Sequence, residues 1–132
     1  MTRFLNNLQP WGALLLRLAL GLSMIVHGYQ KVSTQAALHH FIHSVVSLGL
    51  PYWLGYVSAA TEFVGGILVV LGLLTRFVSA MIAINMLVAL FAVGIHQGFG
   101  IYNYIVDLAA IATMLCFYGA GALSIDRRIG LS

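Results

Sequence analysis

The chain has 132 residues, of which 61% are hydrophobic and only 7% charged, with six Lys+Arg and three Asp+Glu. Soluble domains carry roughly a quarter of their residues as charges, so this surface cannot face water over most of its area. The composition excludes an ordinary soluble enzyme domain, a disordered tail and a nucleic-acid-binding module, and it specifies an integral membrane protein built from its spans.

A helical span takes about 20 mostly apolar residues. Residues 1–132 therefore read as a single membrane-embedded domain of four spans, an all-α polytopic bundle. A transmembrane β-barrel alternates apolar and polar residues in segments of about 10, and the long unbroken apolar runs here do not. The net charge of +3 comes from scattered cations, and the one adjacent pair, Arg127–Arg128, reads as a topology signal rather than a nucleic-acid patch. Cys116 stands alone in an apolar run, so the chain forms no internal disulfide and no dithiol mechanism. The N-terminus does not read as a signal peptide, because Arg17 interrupts its apolar stretch and no A-x-A site follows.

After a polar start (Asn6, Asn7, Gln9, Pro10), the first span covers about residues 11–29, with Trp11 at the interface. A long connection follows. In it Leu38, Phe41, Ile42, Val45 and Val46 recur at helical spacing, with His39, His40, His43 and Ser47 on other faces. This pattern predicts a short amphipathic helix in the outer interface. His39 and His43 lie one turn apart, but no nearby Asp, Glu or Cys completes a metal site, so no metal is expected. The second span covers about 52–74, opened by Pro51, and the third about 77–96. The tight link between them forces a helical hairpin. The fourth covers about 101–120 and ends in Gly119-Ala120-Gly121. Four spans put both termini on one side, with Arg3, Arg76, Arg127 and Arg128; Lys31 is alone among Lys and Arg opposite. The positive-inside rule then predicts cytoplasmic termini.

Ionisable groups inside a membrane are costly and mark function or a paired structural contact. The candidates here are Arg17, His27, Lys31, Glu62, His96 and Asp107, with Asn85 as an uncharged companion. Depth along each span sorts them into two layers. The central layer holds Arg17, Glu62 and Asn85. Glu62 shares its face with Ser58, Ala59, Gly65 and Gly66, and Arg17 shares its own with Ala13, Gly21 and Gly28. Small residues let membrane helices approach closely, so an Arg17–Glu62 pair between spans one and two is the expected arrangement, either as part of a site or as a fixer of bundle register. The outer layer holds His27, Lys31, His96 and Asp107, where a carboxylate near a histidine and a lysine could shuttle protons or hold a polar head such as a quinone carbonyl. Gly94-x-x-x-Gly98 reads as a turn and the methionines as packing. With no paired axial histidines deep in the bundle and no flavin or phosphate-loop fingerprint, no cofactor is expected within the chain.

Three segments together resemble the DoxX family of small bacterial membrane proteins. They are Leu16-Arg17-Leu18-Ala19-Leu20-Gly21 leading to His27-Gly28-Tyr29-Gln30-Lys31, then Glu62-Phe63-Val64-Gly65-Gly66-Ile67-Leu68 with Leu71-Gly72-Leu73-Leu74-Thr75-Arg76, and finally Gly119-Ala120-Gly121-Ala122-Leu123-Ser124-Ile125-Asp126-Arg127. Gly49-Leu50-Pro51 also resembles the family's pattern. By this resemblance Arg17, His27, Gly28, Lys31, Glu62, Gly65, Gly66, Arg76 and Asp126 fall on motif positions, whereas Asn85, His96 and Asp107 rest on depth alone. The resemblance implies a four-helix protein of the bacterial inner membrane, associated with redox systems and with defence against oxidative, thiol or quinone stress beside soluble or membrane redox partner proteins. The expected function is thus a redox-associated membrane subunit that binds a quinone or similar small apolar ligand. The alternatives are a non-catalytic scaffold or assembly factor for a partner enzyme and, further off, a small proton-coupled transporter or channel. Contact with the lipid bilayer and assembly as a homo-oligomer are expected; whether the chain is itself an enzyme stays open, and a fold alone does not transfer a reaction.

Overall fold

The computed structural model describes residues 1–131. Six α-helices follow in order: α1 (Thr2–Val32), α2 (Gln35–Ser47), α3 (Tyr52–Leu71), α4 (Thr75–Ala92), α5 (Phe99–Tyr118) and α6 (Ile125–Ile129), with one turn of 3₁₀ helix at Gly94–His96 between α4 and α5. Four stretches are long and apolar enough to cross a membrane: α1, α3, α4 with the 3₁₀ turn, and α5. Their outward side chains are apolar: Phe77 is 65% exposed, Ile84 63% and Phe117 77%. Such a rind suits lipid and not water, so the chain is a multi-pass membrane bundle with an all-α fold.

Helix ends follow local chemistry. Ser33 and Thr34 break the chain after α1, and Thr34 caps α2 by accepting a bond from the Ala37 amide at 3.0 Å. Gly72, in the left-handed region at φ 68°, closes α3 in a Schellman motif: the Leu73 amide donates to Leu68 O at 2.9 Å and the Gly72 amide to Val69 O at 3.0 Å. Arg76 in the first turn of α4 donates to Phe117 O and Tyr118 O, supplying a cation to the C-terminal end of α5.

Two close pairings build the bundle. α1 packs on α3 at glycines: a Cβ on Gly66 would stand 2.8 Å from Ile25 N and 2.9 Å from Gly21 O, and one on Gly28 would meet the Phe63 backbone. Gly65 faces the other way, toward Val78 and Ile82 of α4. α4 and α5 form the second pair, and Leu20, Met24, Val69, Ile82, Ala112 and Leu115 fill the core between the pairs.

These contacts fix a register that apolar runs alone do not supply. α1 begins at Thr2, well before the expected boundary near residue 11, because the polar residues 6–10 continue the helix. Gly21 then sits against Gly66 and Val70, and Gly28 against Phe63. α1 consequently ends about halfway along α3. The first turns of α3 are covered instead by α2, whose Ile42 rests on Gly55. The short helix is amphipathic as expected, with Ile42 and Val45 buried and His39, His40 and His43 exposed.

Candidate functional site

Arg17 does not pair with Glu62. Its guanidinium donates to three backbone carbonyls of the segment after α5: Ala120 O at 2.6 Å, Ala122 O at 3.2 Å and Leu123 O at 2.8 Å. Arg17 is 1% exposed and lies beside Gly72, ten positions along α3 from Glu62. At about 1.5 Å per residue that is about 15 Å, beyond side-chain reach. Asp126 completes this end by accepting from the Leu74 and Thr75 amides, both at 2.7 Å, at the start of α4. Its own amide donates to Gly72 O. Arg17 and Asp126 thus latch the C-terminal segment onto α1 and the α3–α4 turn. Both sets of contacts lie at the Gly72 end of α3, away from Glu62.

The partner of Glu62 is Lys31. Lys31 Nζ lies 2.7 Å from Oε1 and 2.6 Å from Oε2. Asn85 Nδ2 donates to Oε1 at 3.1 Å, and Ser58 Oγ stands 3.5 Å from the same oxygen. The Lys31 ammonium also sits over the Phe41 ring, 4.2 Å from its centroid, a cation–π contact supplied by α2. Depth reckoning placed Lys31 with the outer residues. The halfway ending of α1 and the length of the lysine stem carry its charge inward to mid-α3.

The remaining outer residues do not gather there. His27 is half-buried; its Nδ1 is 2.7 Å from Ser23 O, and its ring stacks on Tyr104 with centroids 5.8 Å apart and planes 17° apart. A carbonyl can only accept, so Nδ1 is the donor in this contact. His96 is exposed in the 3₁₀ turn, since α4 stops at Ala92 and the shared face with Asn85 is lost. Asp107 is exposed on α5 and joins no hydrogen bond among the described residues. The expected outer layer of four therefore does not exist as one site.

Lys31, Glu62 and Asn85 form one wall of a half-open cavity of about 440 Å³ between α2, α3, α4, α5 and the end of α1. Phe41, Met81, Tyr104 and Ile105 are among its other walls, with Ser58 and Thr61 beside Glu62. A largely apolar chamber of a few hundred Å³ with a few convergent polar groups is the usual form of a small-molecule site. Within it Lys31 and Asn85 are donors and Glu62 is an acceptor, and the charges of Lys31 and Glu62 cancel. The chamber therefore suits a neutral, mostly apolar molecule with a hydrogen-bonding head. Phe41 and Tyr104 were legible in sequence only as an apolar-face residue and a neighbour of Asp107; Thr61 carried no signal beyond its place next to Glu62.

The fold and this chamber define a class: a small polytopic helical membrane protein with an internal polar-headed cavity. The sequence matches the DoxX family model over residues 12–95, and the chain belongs to that family. It is 34% identical over 125 residues, 92% of this chain and 90% of the relative, to a Bacillus subtilis (strain 168) protein named "Putative oxidoreductase CatD". No solved structure matches the chain.

Proposed function

We propose that the protein is a redox-associated membrane subunit that holds a quinone or similar small apolar ligand in the central cavity. The observation that carries this reading is the Lys31–Glu62–Asn85 group on the wall of a largely apolar chamber, whose other polar lining residues are Ser58, Thr61, Gln97 and Tyr104. A quinone offers what that wall can use: a flat apolar ring and carbonyl oxygens that accept from Lys31 Nζ or Asn85 Nδ2. Glu62 orients both donors by accepting from Lys31 Nζ and Asn85 Nδ2. The electrons for any reduction come, on this reading, from a soluble or membrane partner protein, and the reaction serves defence against oxidative, thiol or quinone stress. The name of the Bacillus subtilis relative, "Putative oxidoreductase CatD", supports the redox assignment.

In the same reading the chain lies in a bacterial inner membrane with both termini cytoplasmic and works as a homo-oligomer. Exposed Asp107 on α5 is the feature that contact with a second copy would shield. The test is thermal unfolding of the purified protein during titration with ubiquinone or menaquinone, paired with quinone-stress resistance in cells. Stabilisation by either quinone, lost together with resistance in Glu62→Gln, supports the proposal. No stabilisation and undiminished resistance in Glu62→Gln refute it.

A further inference from the structure

The central cavity adjoins a second, more open depression. The two share Leu48, Leu50, Ile84, Val88 and Ala92, and the outer depression is completed by Leu87 and Phe91. All of these side chains are hydrocarbon. Leu48 and Leu50 come from the turn before α3, and the others recur on one face of α4 at the spacing 84, 87, 88, 91, 92. Ile84, Leu87, Val88 and Phe91 are exposed on a membrane-spanning helix, so they face lipid. Apolar side chains shared by the two depressions thus lie between the cavity that holds Glu62 and the bilayer, on α4 and the Leu48–Leu50 turn.

We infer that this groove seats the isoprenoid chain of the cavity's ligand and that the ligand enters sideways from the membrane. The inference rests on the quinone reading for the head and adds a separate site for the chain. Ile84 to Phe91 extends about 10 Å along the helix, enough to order the first part of a long chain while its end stays in lipid. The choice of a neutral-headed prenyl lipid over a phospholipid or fatty acid follows from charge. Both carboxylate oxygens of Glu62 already engage Lys31, so a phosphate or carboxylate head would bring a second anion beside Glu62 without a free cation to meet it.

The experiment uses the full chain in nanodiscs and three probes: menadione (head without chain), a tetraprenyl menaquinone (head with chain) and a diazirine-bearing geranylgeraniol (chain without head). The tetraprenyl menaquinone is expected to bind about tenfold or more tighter than menadione. Leu87→Trp, which fills the groove from its outer wall and leaves the head chamber untouched, should abolish that advantage without changing menadione affinity; Phe91→Trp repeats the test should Leu87→Trp not fold. The photoprobe should label the Ile84–Phe91 peptide in the wild type and not in Leu87→Trp. An advantage that survives both variants, labelling spread equally over Phe77 and Phe117, or displacement of the menaquinone by oleate at equal strength overturns the inference. Groove labelling without menadione binding would sink the quinone reading of the head and leave the chain groove standing; menadione binding without groove labelling would do the reverse.

Discussion

Lys31 Nζ and the Glu62 carboxylate meet at two points, 2.6 and 2.7 Å, joining the end of α1 to the middle of α3. Glu62 is buried at 3% exposure, whereas the Lys31 side chain keeps 25%. Removing one partner therefore costs differently from removing the other. Lys31→Met leaves a buried carboxylate with only Asn85 and Ser58, a loss on the order of 3 kcal/mol. Glu62→Leu leaves a cation that can bend toward water and should cost less. The double variant Lys31→Met/Glu62→Leu should recover much of the stability lost in Lys31→Met. A double-mutant cycle from thermal unfolding in detergent checks this, and additive losses would show that the two charges are uncoupled.

At the opposite end, Arg17 donates to three carbonyls in a geometry that the planar guanidinium fits and a lysine cannot. Each bond from a charged donor contributes about 1.5–3 kcal/mol. Arg17→Lys should keep the bundle but loosen residues 119–124, seen as faster cleavage of the C-terminal segment in limited proteolysis. Asp126→Asn should loosen the same segment, because its single amide oxygen can accept from only one of the Leu74 and Thr75 amides and its NH2 faces the other donor. Cleavage at wild-type rate in both variants would remove the latch from the account.

The glycine contact between α1 and α3 gives a sharper stability test. A methyl on Gly66 falls within 2.9 Å of the Gly21 carbonyl and closer still to Ile25 N, both backbone atoms that cannot swing aside. Gly66→Ala should cost about 1–3 kcal/mol by overpacking. Gly12→Ala is the control, because nothing lies within 4 Å of its added methyl. It should leave stability unchanged or raise it by about 0.5–1 kcal/mol through helix propensity. Equal melting temperatures for the two variants would contradict the register described here.

Arg3, Arg76, Arg127 and Arg128 are exposed at one end of the bundle. The topology proposed above, on the positive-inside rule, has that end in the cytoplasm. A fluorescent protein fused after residue 131 should then light up and an alkaline phosphatase fusion there stay silent, whereas phosphatase inserted at Gly49 should be active. The reversed pattern would invert the topology.

The apolar runs made the spans legible, and the repeat of Leu38, Phe41, Ile42 and Val45 made α2 legible. Lys31, Glu62 and Asn85 were legible as candidates because polar side chains are costly in lipid. Their grouping was not. It depends on where α1 begins and how it slides along α3, and the polar residues 6–10 conceal that start while remaining helical. The ligands of Arg17 were hidden for a different reason: they are backbone carbonyls of the Gly119–Leu123 segment, and no side-chain pattern announces a carbonyl. His27, His96 and Asp107 share a depth range, but depth does not say which way a side chain faces.

Position-resolved binding decides whether the Lys31–Glu62–Asn85 wall holds a ligand head. Menadione affinity should be measured for the wild type, Asn85→Ala, Glu62→Gln and Arg17→Lys under one condition. A loss of about tenfold is expected in Asn85→Ala and Glu62→Gln, a change of about 1.4 kcal/mol, with Arg17→Lys unchanged because its side chain lies about 15 Å away. Equal affinity across all four proteins would contradict a ligand head at this wall.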